Sequence, residues 1–449
     1  MATGKALDGK PYAGNPHVRF DEGEVAPAAK PRRGSLLYKN LFSIMLALTL
    51  LLSGFDAVGV GVRPPEPADV PPLMCTSTGE ECLGVSQWEL VRRPEILKIF
   101  EENVFGVRPV EKPEDLSFSE IVQPEVCMDG TALRKRIRAT FSGPGGSGHL
   151  DFSAWIPKSK RRVPVFVHIA PRPAETAADP EGPRPTYLLP VSRILSRGYA
   201  VVAYYNYETA IDFHGPVIAT GGVFKIWGPN DAKNRAPMDW GIISAWAWGA
   251  SRIMDWIETE PLLDAHHAAV VGLSRNGKTA LWTGATDKRF ALVVSCCSGM
   301  GGAKLNHIKL PHAEDVEKIM KPAWRWFCPN YAKWIGKDAL MPFDQHWLLA
   351  LVAPRLLYVS SAEEDAWAGP RGEFAAASLA TPAWELYGMA GLVGSAFPLS
   401  NVPLQAGNIA YHVRKGMHDI TEYDWDCYMD FADGHGFRLG ERCGLNKGE

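Results

Sequence analysis

The chain has 449 residues, 46% of them apolar, with 15 Trp and 35 Pro, enough for one large α/β domain with many ordered loops. A formal charge of −3 offers no basic face, so nucleic acid is excluded as a partner. The eight cysteines form no C-x-x-C pair and no zinc spacing.

Residues 1–35 are polar and rich in Gly, Pro, Lys and Arg, and are expected to be a disordered extension. Arg32-Arg33 precede an apolar run from Leu41 to Leu52 that Gly54 and Asp56 interrupt. That length suits the h-region of a signal peptide better than a bilayer span. Residues 36–62 are therefore read as a signal peptide, or as a membrane anchor if they stay uncleaved, and a secreted or periplasmic location follows. Residues 63–85 read as a linker, Pro-rich over 63–74. Within it, Cys75 and Cys82 are placed to close a small loop in an exported protein. The folded domain is then 86–449.

Trp88, Leu90, Ile96, Leu97, Ile99 and Phe100 give an amphipathic helix between Ser86 and Phe105. Residues 118–155 alternate as antiparallel strands do, ending in Leu150 to Ile156. Buried strands are expected at Pro164–Ile169 and Tyr199–Tyr205, with a helix from Val191 to Arg197 closed by Gly198. A long helix, Trp240 to Glu258, carries Ile243, Trp246, Ile253 and Trp256 on one side. Further apolar runs occur at Ala268–Leu273, Phe290–Ser295, which leads into core thiols Cys296 and Cys297, Arg355–Ser360 and Ile409–Val413. Apolar strands alternating with helices predict a mostly parallel sheet covered on both faces, with ligands at the carboxyl ends of its strands.

The chain is organised around Gly272-Leu273-Ser274-Arg275-Asn276-Gly277-Lys278. A serine between a buried strand and a helix, with glycines on both sides, has the form of a nucleophile elbow. The second glycine of the usual G-x-S-x-G falls one place late, and Asn276 takes its position. A serine nucleophile needs a base and an acid that orients it, in the chain order Ser, acid, His. Glu363, Glu364 and Asp365 follow one late strand and His418 follows the last, which are the places the chemistry requires. His266, His267, His307, His312 and His346 are left as structural or solvated.

Taken together, the elbow, Trp240 to Trp248, Ser298-Gly299-Met300-Gly301-Gly302, Trp326-Phe327-Cys328-Pro329, Asp344-Gln345-His346, Pro370-Arg371-Gly372-Glu373-Phe374 and Gly416-Met417-His418-Asp419 resemble the glucuronoyl esterases, carbohydrate esterase family 15, of bacterial type. The resemblance covers most of the chain from Ser86 onward. It implies an α/β-hydrolase fold and a secreted serine esterase that cleaves esters joining (4-O-methyl-)glucuronic acid of xylan to alcohols of lignin. No cofactor and no metal are implied, and a monomer is expected. By matching position Ser274 is the nucleophile, His418 the base, Arg275 an oxyanion contact, Lys278 a donor to uronate hydroxyls, and Trp367 a wall of the sugar site.

The chain departs from the family in places. Fungal members carry the acid just before Ser-Gly-x-Gly-Gly, where this chain has Cys297. Many bacterial members have an acid in a Glu-Glu-Asp-x-Trp loop, which points to Asp365, with Glu363 and Glu364 as alternatives. The strand end His168-Ile169-Ala170-Pro171-Arg172-Pro173 lacks the family's Asn- and Gly-containing turn, and its prolines remove N–H groups. No match to the uronate-contacting Gln and Glu of fungal members lies near Trp324 to Phe327. Two other functions fit the same residues: an acetyl-xylan or general carboxylesterase, and a carbohydrate-binding pseudo-hydrolase.

Overall fold

The computed structural model describes residues 70–173, 188–212, 222–229 and 234–437. The expected extension and the signal or anchor segment lie outside them. Among the described residues no helix is long and apolar enough to cross a membrane.

Ten strands form one sheet: β1 (Ser117–Glu120), β2 (Glu125–Cys127), β3 (Ala132–Gly143), β4 (Gly146–Pro157), β5 (Val163–Ala170), β6 (Ala200–Tyr205), β7 (Leu263–Leu273), β8 (Leu292–Cys296), β9 (Leu356–Ala362) and β10 (Ile409–Arg414). Their order is β1-β3-β4-β6-β5-β7-β8-β9-β10, with β2 beside β3. The strands from β5 to β10 pair in parallel, and β1 to β4 form an antiparallel wing joined at β4–β6.

The parallel strands are buried on both faces, which is why they read as continuous apolar runs. In β5, Val165, Val167 and Ile169 enter one core while Phe166 enters the other, as the two-residue period of a strand requires. Helices α1 (Arg93–Phe100), α3 (Ile242–Ile257), α4 (Arg275–Thr286) and α5 (Pro370–Leu379) line the first core. Helices α2 (Val191–Ser196) and α6 (Glu422–Gly434) line the second.

Three expectations need correction. Helix α3 was read as one-sided, yet all of its residues are buried. The antiparallel wing and the short helix Val223–Trp227 cover its other side: Trp248 lies 5.0 Å from Phe141 of β3 and 5.3 Å from Trp227, centroid to centroid. The described part of the expected linker is also packed. Val70, Leu73 and Cys82 are buried, Pro71 O accepts from Trp347 Nε1 at 3.1 Å, and Leu73 O accepts from Arg92 Nε at 2.7 Å. Cys75 and Cys82 are free thiols there, not a closed loop. This arm and the helical turns after it reach the elbow through Phe105, whose ring stacks on Trp282 of α4 at 4.4 Å. Trimming so buried an indole to alanine costs about 3–5 kcal/mol.

Candidate active site

The elbow is made by close approach of backbone. β7 ends at Leu273 and α4 begins at Arg275, leaving Ser274 at φ 61° and ψ −126°. Such a conformation costs a residue with a Cβ on the order of 1–3 kcal/mol and persists only where the surroundings enforce it. Here the Ser274 N–H donates to Cys296 O at 2.8 Å, and Lys278 N–H donates to Ser274 O at 3.0 Å. A Cβ on Gly272 would fall 2.0 Å from Asn276 O, and one on Gly277 2.8 Å from Cys296 O, so strand and helix meet only with glycine at both. Asn276, the departure from the usual pattern, is a buried tether. Its Nδ2 donates to Ile169 O at 2.9 Å and its Oδ1 accepts from Asn206 Nδ2 at 3.0 Å, joining the elbow to the ends of β5 and β6.

Parallel register brings the other groups to the same edge. Leu273 pairs with Cys296, Cys296 with Ser360, and Ser361 with Val413, so the loops after β7 to β10 leave the sheet together. On that edge His418 Nδ1 lies 2.5 Å from Asp365 Oδ2, so that with Nδ1–H donating to the carboxylate the neutral ring keeps its lone pair at Nε2. Asp365 is buried, and the His418 side chain is 35% exposed. Glu363 and Glu364 are exposed, and Glu363 accepts from Ser400 Oγ at 2.7 Å instead. Of the three acids in the loop, only Asp365 is bonded to the histidine among the described residues. Cys297 borders the same imidazole: one ligand atom each of Cys297, Asp365 and His418 lie within 4.8 Å of one another. Contact with Cys296 and burial push the Cys297 thiol well above its ordinary pKa, so it is neutral here.

What holds the histidine loop was not foreseen. Arg414, at the end of β10, donates to Met417 O at 2.9 Å, to Asp419 O at 2.6 Å and to Asp424 Oδ2 at 2.8 Å. Asp424 is fully buried and also accepts from His412 Nε2 at 2.8 Å and from the N–H and hydroxyl of Thr421 at 2.7 Å each. Burial alone would raise its pKa, but these donors hold it below the usual carboxylate value. The available sequence signal was the capping box Thr421 to Asp424 that opens α6.

On the other side of the serine, Lys278 is only 2% exposed. Its Nζ donates to Ser298 O at 2.5 Å and to Glu314 Oε2 at 3.3 Å, leaving one of its three hydrogens. Glu314 also accepts from Met300 N–H at 2.8 Å, and its own N–H donates to Trp367 O at 2.8 Å. Trp367, half-buried, is thus linked to Lys278 through Glu314. Arg275 Nη1 donates to Asp212 Oδ2 at 3.1 Å, and its guanidinium carbon lies 5.8 Å from the Trp326 ring centroid. Glu314 and Asp212 sit in loops without a motif, and reading the residues missed both.

The Ser298–Gly302 turn rests on Glu373 of α5. Its Oε1 accepts from the N–H groups of Ser298 (2.7 Å) and Gly299 (2.9 Å), and its Oε2 accepts from Ser361 Oγ (2.6 Å). Burial raises this carboxyl to about 7. Gln345 Nε2 donates to Gly302 O at 2.7 Å, and Asp344 accepts from His307 Nδ1 at 2.8 Å, so that motif is scaffolding.

Comparison with known proteins identifies the family. A family model described as glucuronyl esterase, fungi, matches residues 177–388. A carbohydrate esterase from an unknown prokaryotic organism is 34% identical over 384 residues, covering 80% of this chain and 87% of that protein. The 4-O-methyl-glucuronoyl methylesterase of Podospora anserina is 28% identical over 265 residues, which is 56% of this chain and 51% of the fungal protein. The solved glucuronoyl esterase from Solibacter usitatus superposes with a TM-score of 0.75 at 34% identity, covering 83% of this chain and 99% of that one. A strand–serine–helix elbow, an Asp–His pair on the same sheet edge, and two relatives at 34% identity matched over 87% and 99% of their own lengths place this chain in the glucuronoyl esterases, carbohydrate esterase family 15.

Proposed function

We propose that the chain hydrolyses esters of (4-O-methyl-)glucuronic acid, such as those joining glucuronoxylan to lignin, with Ser274, His418 and Asp365 as its catalytic triad. The reading rests on one observation above others: the buried Asp365 carboxylate is bonded to the partly exposed His418 at the edge where Ser274 is strained into an elbow. His418 Nε2 takes the Ser274 Oγ proton as Oγ attacks the ester carbonyl carbon, then returns it to the alcohol as the C–O bond breaks. Water, activated by the same nitrogen, frees the uronic acid from the acyl-enzyme. Asp365 keeps the imidazole oriented and stabilises its charged form. The oxyanion is met by the Arg275 N–H, which opens α4 and has no partner within the helix, and by the Arg275 guanidinium beside it. On the sugar side, the remaining hydrogen of Lys278, with Glu314 as a neighbouring acceptor, meets the hydroxyls, and Trp367 supplies a wall. The apolar run after Arg32-Arg33 fits export of the protein.

The test compares the full chain on a glucuronate methyl ester and on an aryl acetate. The reading expects kcat/KM for the glucuronate to be larger by roughly 10- to 100-fold, the worth of one charged-group hydrogen bond. Equal values, or a preference for the acetate, would make it a general carboxylesterase. Binding of glucuronoxylan without turnover would make it a carbohydrate-binding protein.

A further inference from the structure

Cys297 takes no part in that reaction, yet it is the third member of a compact cluster. One ligand atom from each of Cys297, Asp365 and His418 lies within 4.8 Å of the others. Thiol sulfur, imidazole nitrogen and carboxylate oxygen are the ligand types that zinc takes, and three protein ligands with an open fourth position make a site for it. Hard cations such as Mg²⁺ and Ca²⁺ want several oxygens, and here there is one carboxylate.

We propose that Cys297, Asp365 and His418 form a binding site for a thiophilic divalent cation, Zn²⁺, and that its occupancy switches the esterase off. The inference rests on the assignment of Asp365 and His418 to the triad, and adds a means of regulating it.

The geometry says how. Bonds of about 2.3 Å to sulfur and 2.0–2.2 Å to nitrogen and oxygen put tetrahedral ligands roughly 3.4–3.6 Å apart. The cluster has to contract by about an ångström at its widest. If the cation takes Nδ1, the 2.5 Å bond from His418 to Asp365 has to open. If it takes Nε2, the lone pair that would receive the serine proton is occupied. Either way the base is lost. The thiol releases its proton to solvent as its sulfur binds the cation. Entry is from the His418 side, where 35% of the side chain is exposed, while Cys297 and Asp365 close the floor.

The test uses the full, metal-free chain. Co²⁺ is added as a spectroscopic probe, and Zn²⁺ in a separate titration followed by calorimetry and by hydrolysis of benzyl glucuronate. Expected are a thiolate-to-cobalt charge-transfer band in the near ultraviolet, one Zn²⁺ per chain, and loss of hydrolysis that a chelator restores and Mg²⁺ does not reproduce. Cys297→Ala, and Cys297→Ser as the variant closer in size, should lose the band. Each should weaken zinc inhibition roughly tenfold or more, since even residues behind a ligand are worth 10- to 100-fold. Cys296→Ala should keep both. No cobalt band in the parent, or a band and inhibition that survive in either Cys297 variant, would overturn the proposal. Because the band is read without turnover, a protein that binds cobalt but hydrolyses no glucuronate keeps this site and loses the esterase reading. An active protein without the band does the reverse.

Discussion

The two sides of Ser274 are built by opposite means. On the base side, buried acids pin a partly exposed histidine: Asp365 holds His418 directly, and Asp424 holds its loop through Arg414. On the sugar side, the cation is the buried group. Lys278 is 2% exposed and is already bonded to Ser298 O and near Glu314. The base side is therefore set before substrate arrives. The sugar side offers one lysine hydrogen, and its strength depends on what shares that lysine. Chemistry that any ester needs is preformed, and selection among esters is left to a group held in balance.

The largest effects should come from the groups that handle protons and electrons. Ser274→Ala and His418→Ala should each lower kcat by roughly 10³-fold or more with the fold intact, because triad members act as a unit. Activity within tenfold of the parent in either would remove the triad. Asp365→Asn should lose about as much, roughly 10³- to 10⁴-fold, since an amide fixes the wrong tautomer and cannot stabilise the imidazolium. Cys297→Ala, Glu363→Gln and Glu364→Gln should stay near the parent. If a Glu variant collapses while Asp365→Asn survives, the acid is misplaced. Recovery of activity on adding Cys297→Glu to Asp365→Asn would show that the thiol's position also serves as an acid seat, as its place in the cluster suggests.

Smaller and more selective losses should come from the sugar side. Lys278→Ala should reduce kcat/KM on a glucuronate ester by roughly 10- to 100-fold and spare an aryl acetate, a hydrogen bond from a charged group being worth about 1.5–3 kcal/mol. Arg275→Ala should depress both substrates, because an oxyanion forms on either. Equal losses on both for Lys278→Ala would mean that the lysine supports the elbow through Ser298 rather than the sugar.

The smallest effect is on stability. Burial raises the Glu373 carboxyl from 4.5 to about 7, so the native state holds that proton more tightly than the unfolded chain does. This contribution is largest below 4.5 and is lost as pH rises toward 7. Glutamine cannot titrate, so the stability gap between the parent and Glu373→Gln should move in the variant's favour across that window, by up to about 3 kcal/mol. Urea unfolding at both ends of the window measures it; a gap that widens in the parent's favour would contradict the assignment.

How much of this was legible in the sequence follows from the range of each interaction. The strands from β5 onward announce themselves because burial on both faces leaves few polar positions. Ser274 and His418 are legible because they sit next to those strands. Asp365 was narrowed to three neighbouring acids, and the choice among them depends on which carboxylate turns inward, a packing outcome. Asn276 looked like a flaw in a motif, since its partners at Ile169 and Asn206 are 107 and 70 residues away. Asp212 and Glu314 act through similar pairings, 63 and 36 residues apart, that no local period records. The packed arm from Val70 was misread because Pro-rich composition resembles a linker, although Val70 and Leu73 are buried.

The account's central claim is that the Asp365–His418 pair drives Ser274 against a glucuronate ester. The most direct measurement is hydrolysis of benzyl glucuronate by the parent and by Ser274→Ala under identical conditions. The account predicts that the parent releases benzyl alcohol and that the variant, folded to the same degree, releases roughly a thousandth as much per unit time or less. A parent that binds the ester without cleaving it, or a variant that cleaves it as fast, would contradict the account.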